Sequence, residues 1–206
     1  MLITISRQFG AGGSEVARLV ADGLGWSVVD NEIIDRVARL AGLTPDVVAQ
    51  QDERVPGFVE RLARALTASS QEYAVPELGV ALRPEEPSLV RLTELVVKQV
   101  AAEGKVVLVG RAAPAVLGQS EDTLDVKLVA PRPFRIQLVM IAEDLEVPAA
   151  EALMDRTDSE RARYHREHYG RDWDDPAHFH LIVNTGLLGL EGAAAVILAQ
   201  ARRMGW

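Results

Sequence analysis

The sequence predicts an α/β fold, a mostly parallel sheet flanked by helices. Three observations predict it. Short apolar runs alternate with helical patterns along most of the 206 residues. The first run passes straight into a glycine-rich loop and then an amphipathic helix, LITISRQFGAGGSEV at residues 2–16. Several later runs end in polar or charged residues, the edge at which parallel sheets bind ligands.

The elements follow in order. Leu2–Ser6 reads as a strand, and a helix starts near Ser14 with Val16, Leu19, Val20 and Leu24 on one face. Gly23 and Gly25 end it, and a short strand Trp26–Val29 follows. Asp30 or Asn31 can cap the next helix, which carries Ile33, Ile34, Val37 and Leu40. Residues 43–86 hold short helical patterns (Pro45–Gln51, Phe58–Leu66) and then no clear period, so they read as an excursion from the core. The core resumes with a helix Ser88–Ala102, a strand Lys105–Val109, a strand Leu124–Val129 and a helix with Phe134, Leu138 and Ile141 on its apolar face. A polar helix Ala149–Tyr169, the loop GRDWDDP, a strand His180–Val183 and a helix Leu190–Arg203 complete the chain.

Composition narrows the function. With no cysteine, thiol catalysis and cysteine-ligated metal centres are excluded, and a reducing, cytoplasmic setting is expected. MLITIS lacks the basic and long apolar regions of a signal peptide, and no apolar run reaches membrane-spanning length. A net charge of −8 argues against general affinity for nucleic acid or anionic membrane. Small phosphorylated ligands need only a local cluster of cations.

Four segments carry candidate chemistry. In the first loop, Gly10, Gly12 and Gly13 permit the close backbone approach that cradles an oxyanion at a helix N-terminus. Against G-x-x-x-x-G-K-[ST], Gly12 and Ser14 match. Arg7 stands in place of the first glycine and Gly13 in place of the phosphate-gripping lysine. A bare strand-to-helix turn is the plain alternative. A dinucleotide fingerprint is disfavoured, because Glu15 occupies its third glycine position and would repel pyrophosphate. In VVDNEIIDR, Asp30 and Asn31 emerge at a strand end with Arg36 in the helix beyond; an N-cap and a solvated arginine is the plain reading. In VVLVGRAAPAVLG, Arg111 follows a buried-type strand, suited to bidentate phosphate recognition or to a structural ion pair. Between Arg156 and Arg171 five arginines face three acids, with Asp158 and Arg161 on one helical face, either a cationic site or a solvated charged helix. Tyr164, Tyr169 and Trp173 offer flat surfaces for a base or for packing. His165, His168, His178 and His180 cluster nearby; lid or surface roles fit them better than a metal site.

Taken together, ISRQFGAGG, VVDNEII, VGRAA, DRTDSERARY, DWDDP and LIVNTG resemble the nucleoside monophosphate kinases of the P-loop NTPase fold, and the cytidylate kinase-like family most of all. The resemblance implies a single domain over 1–206, with an acceptor-binding excursion at 55–87 and a helical lid at 149–176. It implies that Gly10, Gly12, Gly13 and Ser14 surround the phosphates of ATP, with Ser14 on Mg²⁺. It places Asp30, Arg36 and Arg111 at the acceptor, a CMP-like nucleoside monophosphate. Arg156, Asp158 and Arg161 fall on the family's lid segment, with Thr157 in place of an aspartate, and would close over the transferred group. Asn31, Glu32 and Ala112 depart from the family pattern. Arg7, or a lid arginine, would supply the charge that Gly13 cannot. In-line phosphoryl transfer is the implied chemistry. A non-catalytic nucleotide-binding sensor or partner module on the same fold is the alternative, and an NAD-dependent oxidoreductase a more distant one.

Overall fold

The computed structural model describes residues 1–30, 86–110 and 112–206. The helix expected after Asp30, the patterns at 45–51 and 58–66, Arg36 and Arg111 all lie outside them. Five strands, β1 (Leu2–Arg7), β2 (Ser27–Asp30), β3 (Val106–Val109), β4 (Thr123–Val129) and β5 (Leu181–Asn184), form one sheet in the order β2-β3-β1-β4-β5. Every pairing is parallel. The chain therefore departs from β1 to one side and later crosses to the other. That makes the carboxyl end of β1 the switch point where open α/β sheets bind ligands.

Six helices are described: α1 (Gly13–Leu24), α2 (Glu86–Glu103), α3 (Ala113–Leu117), α4 (Arg132–Glu143), α5 (Val147–Tyr169) and α6 (Thr185–Arg203, kinked at Gly189). Within the described residues the expected elements are present, displaced by a few residues at their ends, and α2 begins at Glu86, inside the stretch read as excursion. Period-two alternation sorts the strands. Ile3, Ile5, Val107, Val109, Leu124, Val126 and Leu128 meet Val16, Val20, Ala194 and Ile197 of α1 and α6 in the main core. On the opposite face of the sheet α2 packs against β3, with Val96, Val97 and Val100 buried.

That opposite face carries a polar stripe beside its apolar part. Register places Thr4 beside Asp125 and Ser6 beside Lys127, all four buried. Thr4 donates to Asp125 at 2.6 Å. Lys127, 2% exposed, donates to the Trp173 carbonyl at 2.6 Å and to Asp174 at 2.5 Å, and its ammonium lies 4.3 Å from the Trp173 ring. Sequence reasoning gave no weight to this stripe, which seats the segment after α5.

Helix α4 departs from its expected face. Arg135 and Val139 are its buried positions, whereas Ile141 is 80% exposed. Arg135 is drawn inward by an ion pair with Asp158 of α5, 2.5 Å away, and by the Phe9 carbonyl at 3.3 Å. A paired guanidinium can be buried where an apolar pattern predicts an aliphatic residue. Among the described residues, no helix is long and apolar enough to cross a membrane.

Candidate active site

The loop after β1 is built from both ends. Gln8 N–H donates to the Leu128 carbonyl, and its side-chain carbonyl accepts from Ala130 N–H. Thr185 at the start of α6 donates to the Ala11 carbonyl at 2.9 Å. Gly12 is the N-cap of α1 with φ +73°, and a Cβ there would stand 2.4 Å from Leu190. Only glycine meets both demands. The loop thus hands the α1 N-terminus, with its unpaired N–H groups and partial positive charge, to the switch point.

Strand alternation turns Arg7 toward α1, and its side chain lies on Gly13. A Cβ at Gly13 would come within 2.7 Å of Arg7 Cγ. The position from which a lysine would reach is therefore filled by the stem of an arginine. Arg7 Nη2 stands 3.4 Å from Asp30 Oδ1, and Ser14 donates to Asp30 Oδ2 at 2.6 Å. Asp30, expected at the acceptor, thus joins the loop's own network. Ser14 and Asp30 together present hydroxyl and carboxylate oxygens, the hard donors Mg²⁺ prefers when phosphate and water complete its shell. The residues present fit that ion.

Helix α5 lies across the loop. Asp158 accepts from Phe9 N–H at 2.8 Å and pairs with Arg135, while Arg161 stands 3.6 Å from it. Arg161 also donates to the Arg7 carbonyl at 3.0 Å. Burial, followed by the nearby charge of Arg7, lowers the Arg161 pKa to about 10, so it stays charged at neutral pH. Asp158 ties loop and helix together, a role that needs α4 and was not visible in the sequence. Arg156 is exposed on α5 and does not line the cavity.

Between α5, the loop and the carboxyl end of β3 lies a cavity of about 290 Å³. Ser6, Arg7, Arg161 and one acid, Glu160, supply polar groups; Tyr164, His165 and Trp173 supply rings, and Gly110 and Ala112 line the cavity as well. Burial, reinforced by Lys127, Arg171 and His178, lowers the His165 pKa to about 4, so its ring is neutral at pH 7. Trp173 is buried, serving as packing and cavity wall at once. The histidines divide their work: His168 is exposed and stacks near Tyr164, His178 approaches Asp172 and Asp175, and His180 accepts from Asp125 N–H. No group of three metal-ligating side chains occurs among the described residues.

A five-stranded parallel sheet with this order, a glycine loop at its switch point and a cationic cavity beside it define the P-loop kinase fold. Solved structures agree on the fold: a protein of Eubacterium ventriosum (TM-score 0.70, 18% identity, 98% of each chain) and shikimate kinase from Bacteroides thetaiotaomicron (TM-score 0.50, 13% identity, 98% of each chain). The chain belongs to the cytidylate kinase-like family, whose family model matches residues 2–187. It is 28% identical to a cytidylate kinase of Natronomonas pharaonis over 96% of this chain and 87% of that one. The corresponding enzyme of Haloarcula marismortui is 26% identical, over 96% and 88%.

Proposed function

We propose that the protein is a phosphotransferase that moves the terminal phosphoryl group of ATP to a nucleoside monophosphate of the CMP or dCMP type, or to a related small acceptor. The observation that carries this reading is the Arg7 side chain lying on Gly13, beside Arg161, at the N-terminus of α1. Membership of the cytidylate kinase-like family and the similarity to two cytidylate kinases support the acceptor class.

In this mechanism Arg7 and Arg161 offset the charge on the transferring group, and the α1 N-terminus orients the donor phosphates. Ser14 and Asp30 would hold Mg²⁺, which would neutralise part of the charge on the donor phosphates. Helix α5, pinned to the loop through Asp158, covers the site and restricts water. Arg36 and Arg111, outside the described residues, remain assigned to the acceptor by family resemblance.

The test is isothermal titration with ATP·Mg²⁺ and with CMP, followed by an ADP-release assay over a panel of nucleoside monophosphates. Binding of both with acceptor-dependent ADP release is expected. Nucleotide binding without turnover on any acceptor would replace this reading with the non-catalytic nucleotide-binding module. Absence of nucleotide binding would overturn both.

A further inference from the structure

Ser6, a member of the buried polar stripe, also borders the cavity, and its hydrogen bonding is unusual. It is 6% exposed, and its Oγ accepts from the Trp173 indole N–H at 3.1 Å. An indole nitrogen can only donate, so this contact occupies a lone pair of Ser6 and leaves the hydroxyl proton unused. Among the described residues that proton has no acceptor, although the hydroxyl borders the cavity beside Arg7. A buried donor without a partner is costly unless something in the cavity accepts from it.

Trp173 is itself fixed. Lys127 donates to its carbonyl and to Asp174, and lies against its ring. The lysine is nearly fully buried, and its two acceptors both belong to the Trp173–Asp174 pair. The arrangement runs Lys127, Trp173, Ser6, cavity, with the last hydroxyl aimed by the two residues behind it. Its start and end are adjacent on the sheet, since Ser6 and Lys127 are register partners on β1 and β4.

We propose that Ser6 is a ligand-contacting hydrogen-bond donor for a phosphoryl oxygen, and that Trp173, held by Lys127, is the positioning residue that directs it. The inference rests on the phosphoryl-binding reading of the cavity. A phosphoryl oxygen fits because it accepts only, and because Arg7 and Arg161 already place positive charge at the same wall. The ligand end with which Ser6 interacts is therefore the phosphorylated one, and the rings of Tyr164 and His165 are left for its remainder.

The test measures binding of inorganic pyrophosphate by calorimetry to the wild type, Ser6→Ala, Trp173→Phe and the double variant. Losing one hydrogen bond to a charged acceptor is expected to weaken Ser6→Ala about tenfold or more. Trp173→Phe keeps a ring but removes the N–H, and should weaken binding by a smaller factor. In the double variant that factor should vanish, because the indole acts through the hydroxyl. A Trp173 effect that persists unchanged in the Ser6→Ala background would show a merely structural tryptophan and overturn the positioning role. Wild-type binding with Ser6→Ala within twofold would overturn the inference while leaving the phosphoryl-site reading intact. Failure of the wild type to bind either pyrophosphate or ATP would remove that reading, and the inference with it. Should Trp173→Phe fail to fold, Ser6→Ala decides the ligand contact alone, since it deletes one atom from a strand that keeps its ladder.

Discussion

Replacing Arg7 by alanine separates the charge of this site from its shape. The Arg7 side chain is 13% exposed, and its guanidinium sits 3.4 Å from the carboxylate of Asp30, whose side chain is 20% exposed. At an effective dielectric constant of about 20, two unit charges at this separation attract by roughly 5 kcal/mol before desolvation is counted. Most of that attraction is offset by desolvation, and Asp30 retains the Ser14 hydrogen bond in the variant. The expected loss of stability is therefore only about 1–2 kcal/mol. The effect on turnover should be larger. Removing a preorganised donor that meets developing charge typically costs about 10²–10³ in rate. We expect kcat/KM for the best acceptor to fall about a thousandfold, near 4 kcal/mol, with the fold retained by circular dichroism.

The geometry also predicts a rescue. Arg7→Gly with Gly13→Lys converts the loop to G-Q-F-G-A-G-K-S and moves the cation from strand to helix. The Gly13→Lys change alone should be worse than the pair, because its Cβ meets Arg7 Cγ at 2.7 Å. We expect the double variant to regain at least tenfold over Arg7→Ala in the ADP-release assay. If Arg7→Ala left nucleotide affinity and turnover unchanged, the assignment of the missing lysine's charge to Arg7 would be refuted.

Three further outcomes are expected. Asp158→Ala should lower unfolding free energy by about 2–4 kcal/mol in urea titration, since it strands Arg135 and the Phe9 N–H, whereas Asp158→Asn should recover part of this by still accepting from Phe9. Gly12→Ala should cost about 2–4 kcal/mol by the same measurement, combining a left-handed backbone with the 2.4 Å approach of Leu190. The half-buried His165 ring has its pKa lowered from 6.5 to about 4, so between those values the unfolded chain binds more protons than the fold. Its contribution is present above pH 6.5 and is lost as pH falls toward 4, by about 1–2 kcal/mol once solvent contact is allowed for; His165→Gln should flatten that part of the stability–pH curve.

Much of the framework is legible in the chain itself. Apolar runs at strand length and helical periodicity are local properties, and they placed β1, α1, α2, β3, β4, α5 and α6 to within a few residues. The same locality explains the miss on α4. Its apolar residues suggest an inward Ile141, but Asp158, 23 residues from Arg135, decides which face turns in. Trp173 shows the opposite case: its ring was equally suited to a ligand or to packing, and the structure has it do the packing while lining the cavity, held by Ser6, 167 residues away.

By itself the sequence determined that a strand, a glycine-rich turn and a helix start lie in succession, and which residue types stand there. It also showed that lysine is missing from the loop. Only the tertiary structure decided what lies against Gly13. Arg7 and Gly13 are six residues apart, yet their contact depends on strand alternation turning Arg7 toward α1. The meeting of the loop with Asp158, 149 residues beyond Phe9, depends on β1 lying between β3 and β4 in the sheet. Chain-local physics fixes periodicity and turn geometry. The pairing of charges across the site is fixed by strand order, because strand order sets which distant segments share the space above the end of β1.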